Sequence, residues 1–433
     1  MSLDRQIMHI AIPSIVSNIT VPLLGLVDLA IVGHLGATAY IGAISVGGMV
    51  FNVMYWIFGV IRMGSSGLTA QAYGHRDFIE ATMLLTRAIV ISFGIALLLM
   101  LLQWPIYKLS ILVMSPGAEV ERFVKVYFDI CIWGAPPALM MFAFSGWFLG
   151  MQDSKTPMLI AILQNLANIA ASLFFVYSLH MKVEGVALGT LLAQYVGLAV
   201  AIIIFLWKYK KMKRYFRWSG VVDGKAMQRF FVVNRDIFLR TICLVAVFLF
   251  FTSAGSWQGD TILAINTILM QFFMFFSYIM DGFAFAGEAL SGKFYGAGDD
   301  RSLQFVVRRL FRWGAVMTAL FSFVYFIADI PIVSLLTDDP AVINHVSAYT
   351  FWTWLFPVAG VAAFIWDGVF VGLTETRGLL VSSAIATVFF FAVYFMLFHS
   401  FQNHALWLAF IIYLAARGIS QTIIYNLRTK NGK

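Results

Sequence analysis

Apolar residues run along this chain in blocks too long, and too rarely broken by charge, for the half-buried helices of a soluble fold. A helix crossing the hydrocarbon core of a membrane needs about 20 mostly apolar residues. That measure predicts twelve transmembrane helices, near residues 7–32, 40–70, 82–104, 123–149, 157–178, 185–207, 231–254, 261–285, 308–328, 343–372, 378–399 and 404–426. Several exceed the bilayer's thickness, which predicts tilt or protruding ends. The first block contains Pro13, Pro22 and Asp28 and outruns a signal-peptide core, so it reads as helix 1 and not as a cleaved leader.

The blocks repeat. Ala72-Tyr73-Gly74-His75-Arg76-Asp77 after predicted helix 2 matches Phe294-Tyr295-Gly296-Ala297-Gly298-Asp299 after helix 8, an offset of 222 residues. At the same offset, Ser145-Gly146-Trp147-Phe148-Leu149-Gly150 with Asp153-Ser154-Lys155 matches Asp367-Gly368-Val369-Phe370-Val371-Gly372 with Glu375-Thr376-Arg377. The expected fold class is therefore all-α integral membrane, with twelve transmembrane helices in two homologous six-helix lobes. Six is even, so both lobes enter the bilayer from one side and a pseudo-two-fold axis along the membrane normal relates them. The expected domains are an N-terminal lobe over 1–207, a basic linker over 208–229 and a C-terminal lobe over 230–433. The pairs Gly146/Gly150 and Gly368/Gly372 have the small-residue spacing that lets helix backbones approach closely, and plain packing accounts for them.

Composition agrees with this reading: 61% of residues are hydrophobic and only 12% are charged, about half the charged fraction of a soluble domain. The net charge of +8 does not point to nucleic acid, because Lys and Arg are segregated by connection. Lys208, Lys210, Lys211, Lys213, Arg214, Arg217, Lys225 and Arg229 fill the central connection, Lys293, Arg301, Arg308, Arg309 and Arg312 surround the one after helix 8, and Arg428, Lys430 and Lys433 end the chain. The connections around 33–39, 255–260, 329–342 and 400–403 contain neither. Positive charge stays cytoplasmic, so both termini and the central linker are expected inside a bacterial inner (plasma) membrane. Cys131 and Cys243 lie within apolar blocks, which supports neither a disulfide framework nor a zinc site.

Against this background the polar residues inside the spans are the candidate chemistry. An ionisable group in hydrocarbon costs a few kcal/mol, roughly, and is a functional hypothesis by default. Asp28 has no basic residue in its span, and Pro22, six residues earlier, removes a backbone hydrogen bond and supplies a hinge. Asn165, Asn168 and Ser172 share one face of helix 5, and Thr190 and Gln194 share one face of helix 6. In the inferred topology Asp28, Asn168 and Thr190 fall at similar depth and meet; Asn165 and Gln194 read as interhelical glue. Asp281, Glu288 and Asp367 are the second-lobe candidates, near the inner ends of helices 8 and 10, with Arg62 and Arg417 as possible counter-charges. The 42 Phe and 20 Met suit an adaptable apolar cavity.

On these residues the chain resembles the multidrug and toxin extrusion (MATE) family, in its DinF branch, over essentially its whole length. The resemblance rests on Gly25-Leu26-Val27-Asp28 with Gly33-His34-Leu35, and on Gly67-Leu68-Thr69-Ala70-Gln71-Ala72-Tyr73-Gly74. It continues in Asn234-Arg235-Asp236, Asp281-Gly282-Phe283-Ala284 with Glu288-Ala289 and Ser291-Gly292, and Trp366-Asp367-Gly368. It implies efflux by alternating access, with protons as the coupling ion and organic, often cationic, compounds as cargo. It also implies that Asp28, Asn168 and Thr190 form the proton-coupling group of the first lobe, with Ser172 standing where many relatives carry a second aspartate.

The alternatives are a sodium-coupled drug antiporter, a lipid-precursor flippase and a major-facilitator transporter. The NorM branch carries an acid in helix 7, which here reads Leu244-Val245-Ala246-Val247-Phe248-Leu249-Phe250-Phe251, so protons are favoured over sodium. A flippase favours a cationic cavity, and the mid-span bases recognised in the sequence are Arg62 and Arg417 alone. No metal-binding histidine cluster, phosphate loop or nucleophile elbow is present in the sequence, so an enzyme is not expected. Nor is a cofactor. The expected partners are small organic substrates and membrane lipid, without nucleic acid, the chain working as a monomer.

Overall fold

The computed structural model describes residues 2–33, 38–216, 223–337 and 339–431. His34 and Leu35 of the helix 1 motif, Arg217 and Lys433 lie outside them. Among the described residues twelve helices are long and apolar enough to span a membrane: α1 (Leu3–Gly33), α2 (Ala39–Gly74), α3 (Phe78–Leu101), α4 (Ala118–Gly150), α5 (Lys155–Ser178) and α6 (Val183–Lys208), then α7 (Gly224–Ser256), α8 (Asp260–Gly296), α9 (Asp300–Leu336), α10 (Phe351–Gly372), α11 (Thr376–Phe401) and α12 (Asn403–Lys430).

Two short helices were not anticipated. Gln103–Met114 follows α3 and stops at Ser115, whose φ of 43° is left-handed. Pro340–Val346 takes the first residues assigned to the tenth span, because the Asp339 carboxylate accepts from the Ala341 N–H and Pro340 occupies the first helical turn, which starts a helix there.

The chain divides into two compact units, residues 12–231 and residues 1–11 with 232–433. In the first unit three helices are interrupted. Gly59 separates Thr38–Phe58 from Val60–Gly74 within α2. A 3₁₀ turn at Ile132–Gly134 splits α4 ahead of Pro136 and Pro137, and α5 ends in a π-helical turn at Phe174–Ser178. In the second unit α9 departs from helical angles at Ala328, three residues before Pro331, whose ring clashes with the preceding turn.

Glycines set the tightest crossings. A Cβ on Gly150 would lie 2.6 Å from Thr69 Cβ and 2.8 Å from the Ser66 carbonyl, and one on Gly372 would lie 2.8 Å from the Gly292 nitrogen. Thus α4 seats on α2 and α10 on α8 at backbone distance, the packing role expected of both pairs. The turn after each of these four helices is the same. Arg76, Gln152, Gly298 and Thr374 have φ of 60°, 66°, 67° and 54°, each followed by an acid: Asp77, Asp153, Asp299 or Glu375. The N–H of each acid bonds the carbonyl five residues back, at 2.9 Å in all four, closing the preceding helix. Gly74 and Gly150, like Gly296 and Gly372, lie 76 residues apart, so each six-helix half itself contains two copies of a helix–turn–helix.

The core of the first unit is an aromatic cluster in which Phe51 stacks on Phe128 at 5.3 Å, with Tyr40, Tyr107 and Tyr127 around it. In the second unit Phe273, Phe356, Trp407 and Phe410 interlock edge to face. Leu101, Leu112, Val113, Leu335 and Met396 are exposed, as lipid-facing side chains are, and Trp104, Trp207 and Trp257 are exposed near helix ends, where indole rings favour the membrane interface.

Candidate functional site

The polar stripes of α5 and α6 face each other. Asn168 Nδ2 donates to Thr190 Oγ1 at 3.0 Å, and Ser172 Oγ donates to Asn168 Oδ1 at 3.4 Å, with Asn168 and Ser172 fully buried. Small residues on α6 permit the approach: a Cβ on Gly189 would come within 2.8 Å of the Ser172 nitrogen. Asn165, one turn earlier, donates to the Thr20 carbonyl of α1 at 3.0 Å, two residues before Pro22. The α5 stripe therefore ties α6 on one end and the proline region of α1 on the other.

Asp28 is buried on α1, 8% exposed, although Pro22, Leu23, Gly25 and Leu26 just before it are exposed. It makes no hydrogen bond with the Asn168 group, and its Oδ1 is buried without a partner. Within electrostatic reach are Tyr127 and Cys131 of α4, with the Tyr55 hydroxyl of α2 next in the cluster. A Cβ on Gly47 would run into the Tyr127 ring, which is how α2 closes on α4 here. The structure thus brings Asn168, Thr190 and Ser172 together and sets Asp28 beside Tyr127 and Cys131. Nothing in the sequence ties helix 4 to helix 1; only the i, i+4 spacing of Tyr127 and Cys131 placed both on one face. An unpartnered carboxylate in an apolar interior is costly when ionised and cheaper when neutral, so its charge is a switchable quantity. Pro22 sits inside a helix that continues from Leu3 to Gly33 without a break.

The second-unit acids divide. Asp281 is partly exposed, whereas Glu288 and Asp367 are buried and not open to water at the inner helix ends. Asp367 on α10 accepts from Arg240 Nη2 of α7, from Arg417 Nη2 of α12 at 3.0 Å and from Gln421 Nε2 of α12 at 2.7 Å. Arg417 is therefore a counter-charge, as its place in helix 12 suggests, and Arg240 is a mid-span base in addition to Arg62 and Arg417. Its signal was present: Arg240 sits between Asp236 and the apolar run of helix 7, at a position that reads equally well as an interfacial base. Arg62 is partly buried, with Gly146 seated on its backbone carbonyl. Among the described residues no cluster of three or more His, Cys, Asp or Glu could hold a metal ion.

Comparison with known proteins agrees with this architecture. A family model described as MatE matches residues 13–174 and again 237–396, so that the two matches begin 224 and end 222 residues apart, the spacing of the internal repeat. DNA damage-inducible protein F of Escherichia coli (strain K12) is 35% identical over 435 residues, covering 100% of this chain and 94% of that protein. A probable multidrug resistance protein NorM of Thermotoga maritima is 23% identical over 353 residues, covering 78% and 74%. Among solved structures, a MATE protein in the bent conformation superposes with a TM-score of 0.90 at 17% identity, covering 100% of this chain and 98% of its own. The outward-facing form of a multidrug resistance MATE family transporter of the MOP superfamily gives 0.86 at 19% identity, covering 100% and 97%. Repeat, helix count and motifs converge: this chain belongs to the MatE family, the multidrug and toxin extrusion transporters, and is similar to its DinF members.

Proposed function

We propose that the protein exports organic, often cationic, compounds across a bacterial inner membrane in exchange for protons, and that Asp28 carries the exchanged proton. The observation that carries this reading is the burial of Asp28 with a carboxylate oxygen that has no hydrogen-bond partner. A group held this way gains when it is neutralised, either by a proton or by an organic cation beside it. The two occupants compete for one negative charge. By linkage, substrate arrival expels the proton and proton arrival expels the substrate.

Asn168, Thr190 and Ser172 form the polar wall behind which α5 and α6 are locked. Tyr127 and Cys131, beside the carboxylate, are the groups that would relay or shield its charge. Sodium coupling through the second unit is disfavoured by Asp367, whose oxygens are already taken by two arginines and a glutamine. A flippase with a cationic cavity gains nothing from Arg240, since that guanidinium lies on the same carboxylate.

The test is substrate-induced proton release from detergent-solubilised protein, wild type against Asp28→Asn, at matched amounts. Release from the wild type and none from the variant, with both folded, is expected. Equal release from the two would make Asp28 structural and move coupling to Glu288, Asp281 or Asp367.

A further inference from the structure

A carboxylate buried in a transmembrane helix is the usual seat of a coupling or transported cation. In the second unit Glu288 and Asp367 are both buried carboxylates, and Asp367, on α10, is met by two arginines. Arg240 from α7 and Arg417 from α12 both reach its Oδ2, and Gln421, one turn beyond Arg417, donates to Oδ1 at 2.7 Å. The Arg417 guanidinium is held between the Phe364 and Tyr413 rings, 5.9 Å from each centroid, and is 4% exposed. Both guanidiniums are tethered to the chain, so neither can leave as a free ion does.

We propose that Arg240 and Arg417 are tethered counter-cations that fill the Asp367 site and exclude a free monovalent cation from it, so that these two residues decide which ion the second unit can take. Two details argue for a filled cation site over a simple structural ion pair. The Asp367 carboxylate meets two guanidiniums, and Asp281 lies within electrostatic reach of Arg417, so the carboxylates here are already matched by tethered cations and a free cation finds no unmatched negative charge. Around it lie oxygens suited to a hard cation: Gln421 Oε1 and Tyr413 Oη are both buried without a hydrogen-bond partner. With the arginines removed, Asp367, Gln421 and Tyr413 would present four oxygens in one buried place.

The consequence for coupling rests on the exporter reading, but the binding test does not. The probe is sodium itself, with the apparent unfolding midpoint of the purified full-length protein measured in sodium chloride and in choline chloride at matched ionic strength. A ligand bound only by the folded state raises that midpoint. The wild type should show no difference. The double variant Arg240→Gln/Arg417→Gln should show a saturable rise of about 2–5 °C with sodium, removed by adding Asp367→Asn.

Removing both partners of a buried charge can prevent folding. In that event Arg240→Gln and Arg417→Gln are measured singly; each keeps one guanidinium on the carboxylate, and a sodium response smaller than a free site's but above the wild type's is expected. A sodium-dependent rise in the wild type that Asp367→Asn abolishes would overturn the proposal. So would the lack of any sodium response in every folded arginine variant.

Discussion

Single residues fix the helix-to-helix turns of this protein by satisfying backbone and side-chain polar groups at once. Asp153, between α4 and α5, is 9% exposed and accepts from Lys208 Nζ at 2.7 Å, Thr156 Oγ1 at 2.6 Å and Tyr209 Oη at 2.8 Å. Burial by itself raises its pKa, but these hydrogen bonds and the lysine charge outweigh burial and hold it below the usual carboxylate range. A depressed folded pKa means that the stabilisation is fully present above the unfolded reference of about 3.9 and fades as pH falls through the folded value. Asp153→Asn should therefore lower stability by about 1 kcal/mol at neutral pH, a modest figure because Lys208 is half exposed. The gap to the wild type should close as the pH drops below about 4. Thermal unfolding across pH in detergent reads both, and a constant gap at all pH values would remove Asp153 as the titrating group.

At the scale of helices, close approach and bending divide the work. Gly150 sits on the Ser66 carbonyl and Thr69 Cβ, backbone and near-backbone atoms that cannot swing aside. Gly150→Ala should cost about 1–3 kcal/mol by overpacking, visible as a lower unfolding midpoint. Gly25→Ala, in open space on α1, serves as the control and should leave that midpoint unchanged. Bending belongs to α1, which keeps one helical path through Pro22 while Asn165 of α5 holds the Thr20 carbonyl nearby. Pro22→Ala restores a backbone donor and stiffens the helix. The variant should insert and fold normally but transport slowly, since about 1.4 kcal/mol added to a bending step is about tenfold in rate. Initial efflux rates from cells at equal expression decide this, and an unchanged rate would retire the hinge.

For the whole molecule, the expected orientation in the bilayer rests on where charge was left in the sequence. Lys208, Lys210, Lys211, Lys213 and Arg214 cluster at the end of α6, and Lys225 and Arg229 open α7. Lys213→Cys and Lys225→Cys should resist an impermeant thiol reagent added outside intact cells, whereas Gly259→Cys, between α7 and α8, should react. Labelling of the lysine positions from outside would invert the assigned topology.

The twelve spans were legible because each is a local property, the apolar length that the bilayer demands, and the internal repeat because two motifs recur at one offset. The pairing of Asn168 with Thr190 was legible too, since helical periodicity put each on a polar face and adjacent helices in sequence usually pack together. What sequence could not fix were contacts between helices far apart in the chain. Arg240, Asp367 and Arg417 lie on α7, α10 and α12, and their union depends on which helix faces turn toward one another, a matter of packing. The same holds for Asp28, whose helix alone marked it as unusual, while its setting beside Tyr127 and Cys131 came from Gly47 admitting the Tyr127 ring between α2 and α4. The bilayer dictates spans one helix at a time, but the charge balance inside it is settled only by the assembled helices.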